Sequence, residues 1–155
     1  MITIKHLENN AKSCEFDCLV GEYIENVQLV EWEGCIFEVI LYFRSGKKMR
    51  MYHDQDCCEL VTLIDIVGGS LDDLVGQEIK SFNSVSSKEI GDGCRGEYDY
   101  SNTWTFITIS TFKDDITLRW HGGSNGFYSE RVDFDFYDEN GNYVCEVREI
   151  IEQEF

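Results

Sequence analysis

Alternation of apolar and polar residues runs through much of this chain, with the period of two that is typical of β-strands. Residues 22–30 alternate, and residues 35–43 are rich in β-branched and aromatic side chains, so each stretch predicts a strand. Residues 44–47 include a glycine and predict a hairpin turn into a third strand at residues 48–52. The first part of the chain is therefore expected to form antiparallel hairpins.

Similar patterns recur in the second half of the chain. Residues 104–109 and 116–120 predict a hairpin with its turn at residues 113–115. Residues 131–137 alternate cleanly and predict a strand with one apolar and one acidic face. The apolar face comprises Val132, Phe134 and Phe136, and the acidic face comprises Asp133 and Asp135.

Turn and loop signals separate these strands. Asn140-Gly141 is a strong hairpin signal that leads into a last strand from Tyr143, with a helical end expected near Ile150. Residues 86–101 are polar and rich in glycine towards their end, so they predict the longest loop.

Two short motifs precede strands. The sequence L-V-G-x-x-I occurs at residues 19–24 and again at residues 74–79, which indicates either a duplication or a common use of glycine at turns. Ser70 is placed to cap a short helix at residues 71–74, whose early aspartates suit a helix N-terminus.

Length and composition indicate one folded unit. The chain has 155 residues, of which 43% are hydrophobic and 14% aromatic. It has no apolar run of about 18 residues and no pattern of a secretion signal at its start. We expect a single soluble cytoplasmic domain, residues 1–155, with a mainly β (α+β) fold of antiparallel hairpins in a twisted sheet and one or two short helices.

The charge is strongly acidic. Thirteen Lys and Arg residues against 30 Asp and Glu residues give a formal net charge of -17. This composition argues against direct binding to nucleic acid, which needs clustered basic residues. It favours a basic protein partner, or simply a high solubility.

Seven cysteines raise the question of metal binding. In a reducing cytosol, thiols remain free or bind metal, and an odd number argues against a complete set of disulfides. Cys35 and Cys145 lie within apolar runs and are expected to act as small hydrophobic residues.

A histidine and several cysteines have spacing that suits a zinc site. His53 and Cys57 are four residues apart, as are Cys14 and Cys18, and together they predict a structural Cys3His zinc site. Cys58, Cys94 or Asp56 remain possible replacements for any of these ligands. Two other interpretations stay open: core cysteines beside a surface histidine, or a Cys-His nucleophile.

A second polar group lies in the glycine-rich segment 119–130. Arg119, His121, Asn125 and Tyr128 lie close together beside aromatic residues and predict a possible ligand pocket. The alternative is a hairpin turn, in which Gly122, Gly123 and Asn125-Gly126 supply positive φ angles.

Several sequence blocks resemble a family of small uncharacterised phage and prophage proteins. The blocks are YHDQDCCE at residues 52–59, LDDLVG at 71–76, TWTF at 103–106, and RW at 119–120 followed by SNGFYSE at 124–130. The chain is also similar to a zinc-containing anti-CRISPR protein of the type II class.

This resemblance implies a non-enzymatic inhibitor that binds a type II RNA-guided effector nuclease and obstructs the loading of target DNA. The acidic C-terminal strands would then supply the contact face, with Asp133, Asp135, Glu146, Glu149 and Glu152 as partner-binding residues. The alternative is a small-molecule-binding phage protein, either a ligand sponge or an enzyme, with its pocket at residues 119–129.

Overall fold

The computed structural model describes residues 12–14, 16–55, 58–90 and 100–147, with the backbone alone for residues 12–14, 90, 146 and 147. The fold is mainly β, and within the described residues the only helices are two short 3-10 helices, Phe16–Leu19 and Leu71–Leu74. The ten strands are β1 (Lys12–Cys14), β2 (Ile24–Trp32), β3 (Cys35–Phe43), β4 (Lys48–Tyr52), β5 (Glu59–Val67), β6 (Ser81–Ile90), β7 (Ser101–Ser110), β8 (Asp115–Ser124), β9 (Asp133–Tyr137) and β10 (Tyr143–Val147).

All ten strands belong to one sheet. Its order is β1-β10-β9-β4-β3-β5-β8-β7-β6, and β2 pairs with β3 outside this path. The pairing is antiparallel throughout except between β1 and β10, which run parallel. Strand β3 meets β5 only at Ile36 and Leu63, so this short contact joins the two parts of the sheet.

Each part of the sheet is built on three consecutive strands. The strand that follows each set of three in the chain pairs with the other set. Strands β2, β3 and β4 form a meander, and β9 pairs with β4 beside it. Strands β6, β7 and β8 form a second meander, and β5 pairs with β8 beside it. The strand that follows each meander therefore crosses over to pair with the other one.

The two L-V-G-x-x-I motifs pair with each other. Tyr23 and Glu78 form an antiparallel bridge at the centre of this contact. The Gly21 amide donates to the Ile79 carbonyl at 2.9 Å, and the Gly76 amide donates to the Ile24 carbonyl at 2.7 Å. Each motif begins at the last residue of a 3-10 helix and contains a glycine with positive φ. The two halves of the chain therefore have similar local structure at these motifs and similar strand order.

The core lies on the inner faces of both meanders. Leu41 and Met49 from the first meander and Ile107 and Leu118 from the second are fully buried. Phe16, in the first 3-10 helix, places its ring 4.9 Å from the rings of both Phe82 and Phe134. Aromatic contacts of this kind connect the two meanders across the interior.

Most sequence predictions of strands and turns are confirmed, with three corrections. The predicted loop at residues 86–101 is wrong at both ends, because β6 continues to Ile90 and β7 begins at Ser101. Its polar composition has a physical reason: β6 pairs with β7 alone among the described strands, and residues 85–89 are exposed. No strand was predicted at Glu59–Val67, which forms β5.

The third correction concerns glycines. Gly122 and Gly123 were assigned to a turn with positive φ, but both lie within β8, and only Gly126 in that segment has a positive φ, 100°. The predicted helix at residues 71–74 is a 3-10 turn in which the Ser70 amide donates to the Asp73 carboxylate at 2.9 Å. The helical end expected near Ile150 lies outside the described residues.

Candidate functional site

The most polar part of the interior lies where the two crossovers meet. The first crossover, residues 53–58, joins β4 to β5, and the second, residues 125–132, joins β8 to β9. The Asn125 amide donates to the Cys58 carbonyl oxygen at 3.3 Å, which ties the ends of the two crossovers together. The exchange of strands between the meanders therefore brings two distant segments side by side.

His53 and Glu59 form a buried pair in the first crossover. Their side chains are 4% and 1% exposed, and His53 Nε2 lies 3.2 Å from Glu59 Oε1. His53 Nδ1 lies 2.6 Å from the Arg131 carbonyl oxygen, which can only accept, so Nδ1 carries a hydrogen. His53 Nε2 therefore faces the Glu59 carboxylate, which also accepts a hydrogen bond from the Cys58 amide at 3.0 Å.

Glu130 forms a second buried centre, in the second crossover. Its carboxylate accepts hydrogen bonds from the Ser124 hydroxyl and from the Thr103 hydroxyl, the latter at 2.7 Å. Gly122 makes this position possible, because a Cβ there would lie 2.5 Å from the Glu130 carbonyl oxygen. Any larger residue at position 122 would displace the second crossover.

We call His53, Glu59, Ser124 and Glu130 the crossover cluster. Glu59 and Ser124 are direct partners across β5 and β8, so their side chains share one face of the sheet. Ser101 is the partner of Ser124 on β7, and its buried hydroxyl has no hydrogen-bond partner among the residues that the structure describes. The Ser124 hydroxyl donates to Glu130 and also accepts from the Gly126 amide at 3.0 Å, so Ser124 fixes the second crossover to the end of β8.

The predicted zinc ligands are not brought together within the described residues. No group of three His, Cys, Asp or Glu side chains in the described part of the chain could hold a metal ion. Both ring nitrogens of His53 lie within hydrogen-bonding distance of protein oxygens. Cys57, Cys94 and Asp56 lie outside the described residues, as does the side chain of Cys14. His53 is also buried, which corrects the alternative that placed it at the surface.

The cysteines fall into two groups. Cys58 and Cys145 each take part in a disulfide bond, which is contrary to the expectation that all thiols are free or bind metal. Cys58 therefore offers no thiolate as a replacement zinc ligand. Cys18 and Cys35 are free and exposed. Partial desolvation raises the pKa of the Cys18 thiol even though much of the residue faces solvent.

The residues of the predicted pocket lie on one strand and the crossover that follows it. Arg119 pairs with the Asp65 carboxylate through two hydrogen bonds, and this contact lowers the pKa of Asp65. His121 Nε2 lies 3.0 Å from Asn102 Oδ1, and its ring centre lies 4.8 Å from that of Trp104. The other two residues, Asn125 and Tyr128, are half-buried in the second crossover.

Two of the predicted partner-binding carboxylates, Asp133 and Asp135, form contacts with other side chains of the protein. Asp133 and Asp135 do lie opposite the buried face of β9, but Asp135 is itself buried and accepts a hydrogen bond from the Tyr52 hydroxyl at 2.7 Å. Burial and this hydrogen bond raise the pKa of Tyr52 above its ordinary value. Asp133 lies 3.2 Å from the Arg131 guanidinium. The side chain of Glu146 and all of Glu149 and Glu152 lie outside the described residues.

A family model described as a domain of unknown function, DUF7448, matches residues 17–134. The chain belongs to this family. No curated protein and no solved structure matches it. The DUF7448 match includes every residue of the crossover cluster, whereas Cys14 and the carboxylates from Glu146 onward lie outside it.

The crossover cluster explains two of the sequence blocks within the DUF7448 region. YHDQDCCE contains His53 and ends at Glu59, and SNGFYSE begins at Ser124 and ends at Glu130. Sequence reasoning singled out His53 but missed both glutamates. One signal for the two glutamates was available in the sequence, since each block ends in a glutamate beside a strand. That the two blocks lie side by side is shown only by the crossover topology.

The described residues include no helix with the length and apolar character needed to cross a membrane.

Proposed function

We propose that this protein is a non-enzymatic inhibitor in the host cytoplasm: a phage-encoded anti-CRISPR protein that binds a type II effector nuclease and obstructs the loading of target DNA. The observation that carries this proposal is the acidic surface on a mainly β fold. The resemblance of the sequence blocks to phage proteins supplies the class of partner.

The described surface supports an acidic contact. Ten carboxylate residues are exposed, against four basic residues. The acidic set is Asp17, Glu25, Glu31, Glu33, Asp54, Asp65, Asp72, Glu89, Asp115 and Glu139, and the basic set is Arg44, Lys88, Lys113 and Arg131. With a net charge of -17, such a surface attracts a basic protein over long range and repels nucleic acid.

Type II effector nucleases fit this chemistry. They hold the heteroduplex of guide RNA and target DNA in a positively charged channel. An acidic protein that occupies this channel competes with the DNA backbone for the same basic side chains. The binding would strengthen at low salt, because the attraction between exposed charges is screened within about 10 Å at 0.1 M ionic strength.

A direct test combines binding and inhibition. DNA loading and cleavage by a purified, guide-loaded type II nuclease would be measured at saturating protein over a salt series. We expect strong inhibition at low salt and weaker inhibition as salt rises. Full nuclease activity under all conditions would contradict the proposal for that nuclease.

A charge-reversal variant tests where the acidic face lies. In the triple variant Glu146→Lys, Glu149→Lys, Glu152→Lys, inhibition should fall while the melting temperature stays nearly unchanged, if the C-terminal carboxylates form the face. Equal potency of the variant and the wild type would exclude that face and leave the rest of the acidic surface as the candidate.

The zinc site is a separate part of the proposal. Its predicted ligands are Cys14, Cys18, His53 and Cys57, and zinc bound by four protein groups would stabilise the fold without activating a substrate. Metal analysis of protein purified without chelator tests this. Stoichiometric zinc and a lower melting temperature after chelation would support the site. Metal-free protein with an unchanged melting temperature would exclude it.

A second candidate function is the binding of a small molecule beside β8. The outer face of β7 and β8 carries Trp104 between His121 and the Arg119 guanidinium, which lies 5.7 Å from the Trp104 ring centre. Aromatic and polar groups side by side are typical of ligand sites. A tightly bound small molecule released from purified protein by denaturation, and detected by mass spectrometry, would favour this function.

A further inference from the structure

The hairpin of β2 and β3 ends in exposed apolar surface. Ile24, at the start of β2, is fully buried, but near the other end Leu29 is 41% exposed, Val30 is 37% exposed and Trp32 is 69% exposed. The hairpin therefore begins in the core and extends beyond it. Val30 and Trp32 are two positions apart on β2 and share one face, so they form a small apolar patch near the tip, whereas Leu29 lies on the opposite face.

The hairpin holds this patch in a defined position. Trp32 pairs directly with Cys35, so the turn has two central residues, Glu33 and Gly34. Both have positive φ, 49° and 81°, as in the type I′ turn that matches the twist of antiparallel strands. A tight turn of this type keeps the tip ordered, so the patch loses little conformational entropy when it binds a partner.

The charges of the hairpin select the kind of partner. Among the described strands, β2 pairs with β3 alone, and an exposed apolar edge of this kind promotes association with another chain. Residues 24–37 contain Glu25, Glu31 and Glu33 and no lysine or arginine. These glutamates, on a chain of net charge -17, oppose a second copy and favour a basic surface.

We propose that the tip of the β2–β3 hairpin is the docking surface for a basic protein partner, with Trp32 inserted into an apolar pocket and Glu31 and Glu33 against basic side chains around it. Tryptophan is among the residues that most often dominate binding energy at protein interfaces. This inference rests on the proposed function, and it places the contact at the hairpin instead of the C-terminal carboxylates.

The test compares exposed aromatic residues on two different hairpins. Wild type, Trp32→Ala and Phe112→Ala would be titrated against a guide-loaded type II effector nuclease at 0.05 M salt, by calorimetry. Phe112 is 84% exposed in the turn between β7 and β8 and is the matched control. We expect Trp32→Ala to weaken binding at least about tenfold and Phe112→Ala to change it less than about twofold.

A charge variant adds a kinetic readout. In the double variant Glu31→Gln, Glu33→Gln, the association rate should fall and depend less on salt, with a smaller effect on dissociation. Circular dichroism and melting of each variant would confirm that the fold is kept.

The outcomes separate the two proposals. Equal affinities of wild type and Trp32→Ala would overturn the docking surface and leave the proposed function intact. A loss of affinity in Phe112→Ala as large as that in Trp32→Ala would also overturn it, because the effect would not be specific to the hairpin. If the wild type does not bind the nuclease at all, the proposed function fails and the docking surface for that partner fails with it.

Discussion

The crossover cluster and the β2–β3 hairpin use acidic residues in opposite ways. In the cluster, Glu59 and Glu130 are buried and each carboxylate has several hydrogen-bond donors close to it. In the hairpin, Glu25, Glu31 and Glu33 are exposed and lie beside apolar side chains. Buried carboxylates of the first kind specify the fold, because a buried carboxylate without its partners destabilises the folded state by more than the paired carboxylate stabilises it. Exposed carboxylates of the second kind contribute little to stability and much to the choice of partner.

This difference follows from the exchange of strands. The crossovers lie mostly at the surface, but they bury His53 and Glu130, whose polar groups must be paired in place of water. Strand β2 takes no part in the exchange, and one of its edges has no strand beside it among those described. Substitutions in the two regions should therefore separate stability from binding.

The largest effect is expected from Glu59→Ala. This variant removes the carboxylate that faces the buried His53 ring and accepts a hydrogen bond from the Cys58 amide. The free energy of unfolding should therefore fall by about 3–5 kcal/mol. Urea denaturation would measure the change. Glu89→Ala, an exposed glutamate on β6, is the matched control and should change stability by less than about 0.5 kcal/mol.

Glu59→Ala also separates the hydrogen-bonded cluster from the zinc site. Glu59 is not among the predicted zinc ligands, so the loss of a zinc ligand would not explain a large fall in the free energy of unfolding of this variant. A change as small as that of Glu89→Ala would show that the buried pair does not hold the crossovers.

A smaller effect is expected from Gly122→Ala. The new Cβ would lie 2.5 Å from the Glu130 carbonyl oxygen and 2.7 Å from Glu130 Cβ, so the second crossover must move away from β8. We expect a loss of about 1–3 kcal/mol, measured by urea denaturation. Unchanged stability would mean that the second crossover does not pack against β8 as closely as described.

Tyr52 should give a smaller, pH-dependent effect. Burial and the hydrogen bond to Asp135 raise the pKa of Tyr52 from its ordinary value of 10.0. Above pH 10 the unfolded chain then binds fewer protons at this residue than the folded chain, so the stabilisation present at lower pH is lost as pH rises. The stability difference between wild type and Tyr52→Phe should shrink by about 1 kcal/mol or less between pH 8 and pH 11, because the ring is partly exposed.

Urea denaturation of both proteins at the two pH values measures this difference. Comparison with Tyr52→Phe cancels the contributions of the other titrating groups. A difference that grows towards pH 11 would contradict the raised pKa.

Local patterns predicted most of the strands but could not predict their exchange. The alternation in residues 131–137 follows from one buried face of β9, and Asn140-Gly141 forms the expected turn, with Gly141 at φ 81°. The pairing of β4 with β9 and of β8 with β5 depends on contacts between distant segments, which no local period records. The second half of β6, residues 86–90, was misinterpreted as a loop for a related reason, because an edge strand has few apolar residues to bury.

The candidate site was predictable only in part. The spacing of His53 and Cys57 directed attention to the correct crossover, but spacing alone suggests a metal wherever histidine and cysteine occur four residues apart. The partners of His53 in the structure are Glu59 and the Arg131 carbonyl, and Arg131 lies 78 positions away in the chain. A contact to a backbone carbonyl has no sequence signal, since every residue has one.

The smallest effect on stability is expected from Trp32→Ala, and this gives the sharpest contrast with the crossover cluster. Trp32 is 69% exposed, so its removal exposes little new apolar surface and leaves no cavity in the core. The free energy of unfolding in urea should change by less than about 0.5 kcal/mol. A loss above about 2 kcal/mol would show that Trp32 packs within the fold, and the hairpin could not then be regarded as a surface reserved for a partner. An unchanged stability, together with weakened binding to the basic partner, would place folding and recognition in two separate regions of one sheet.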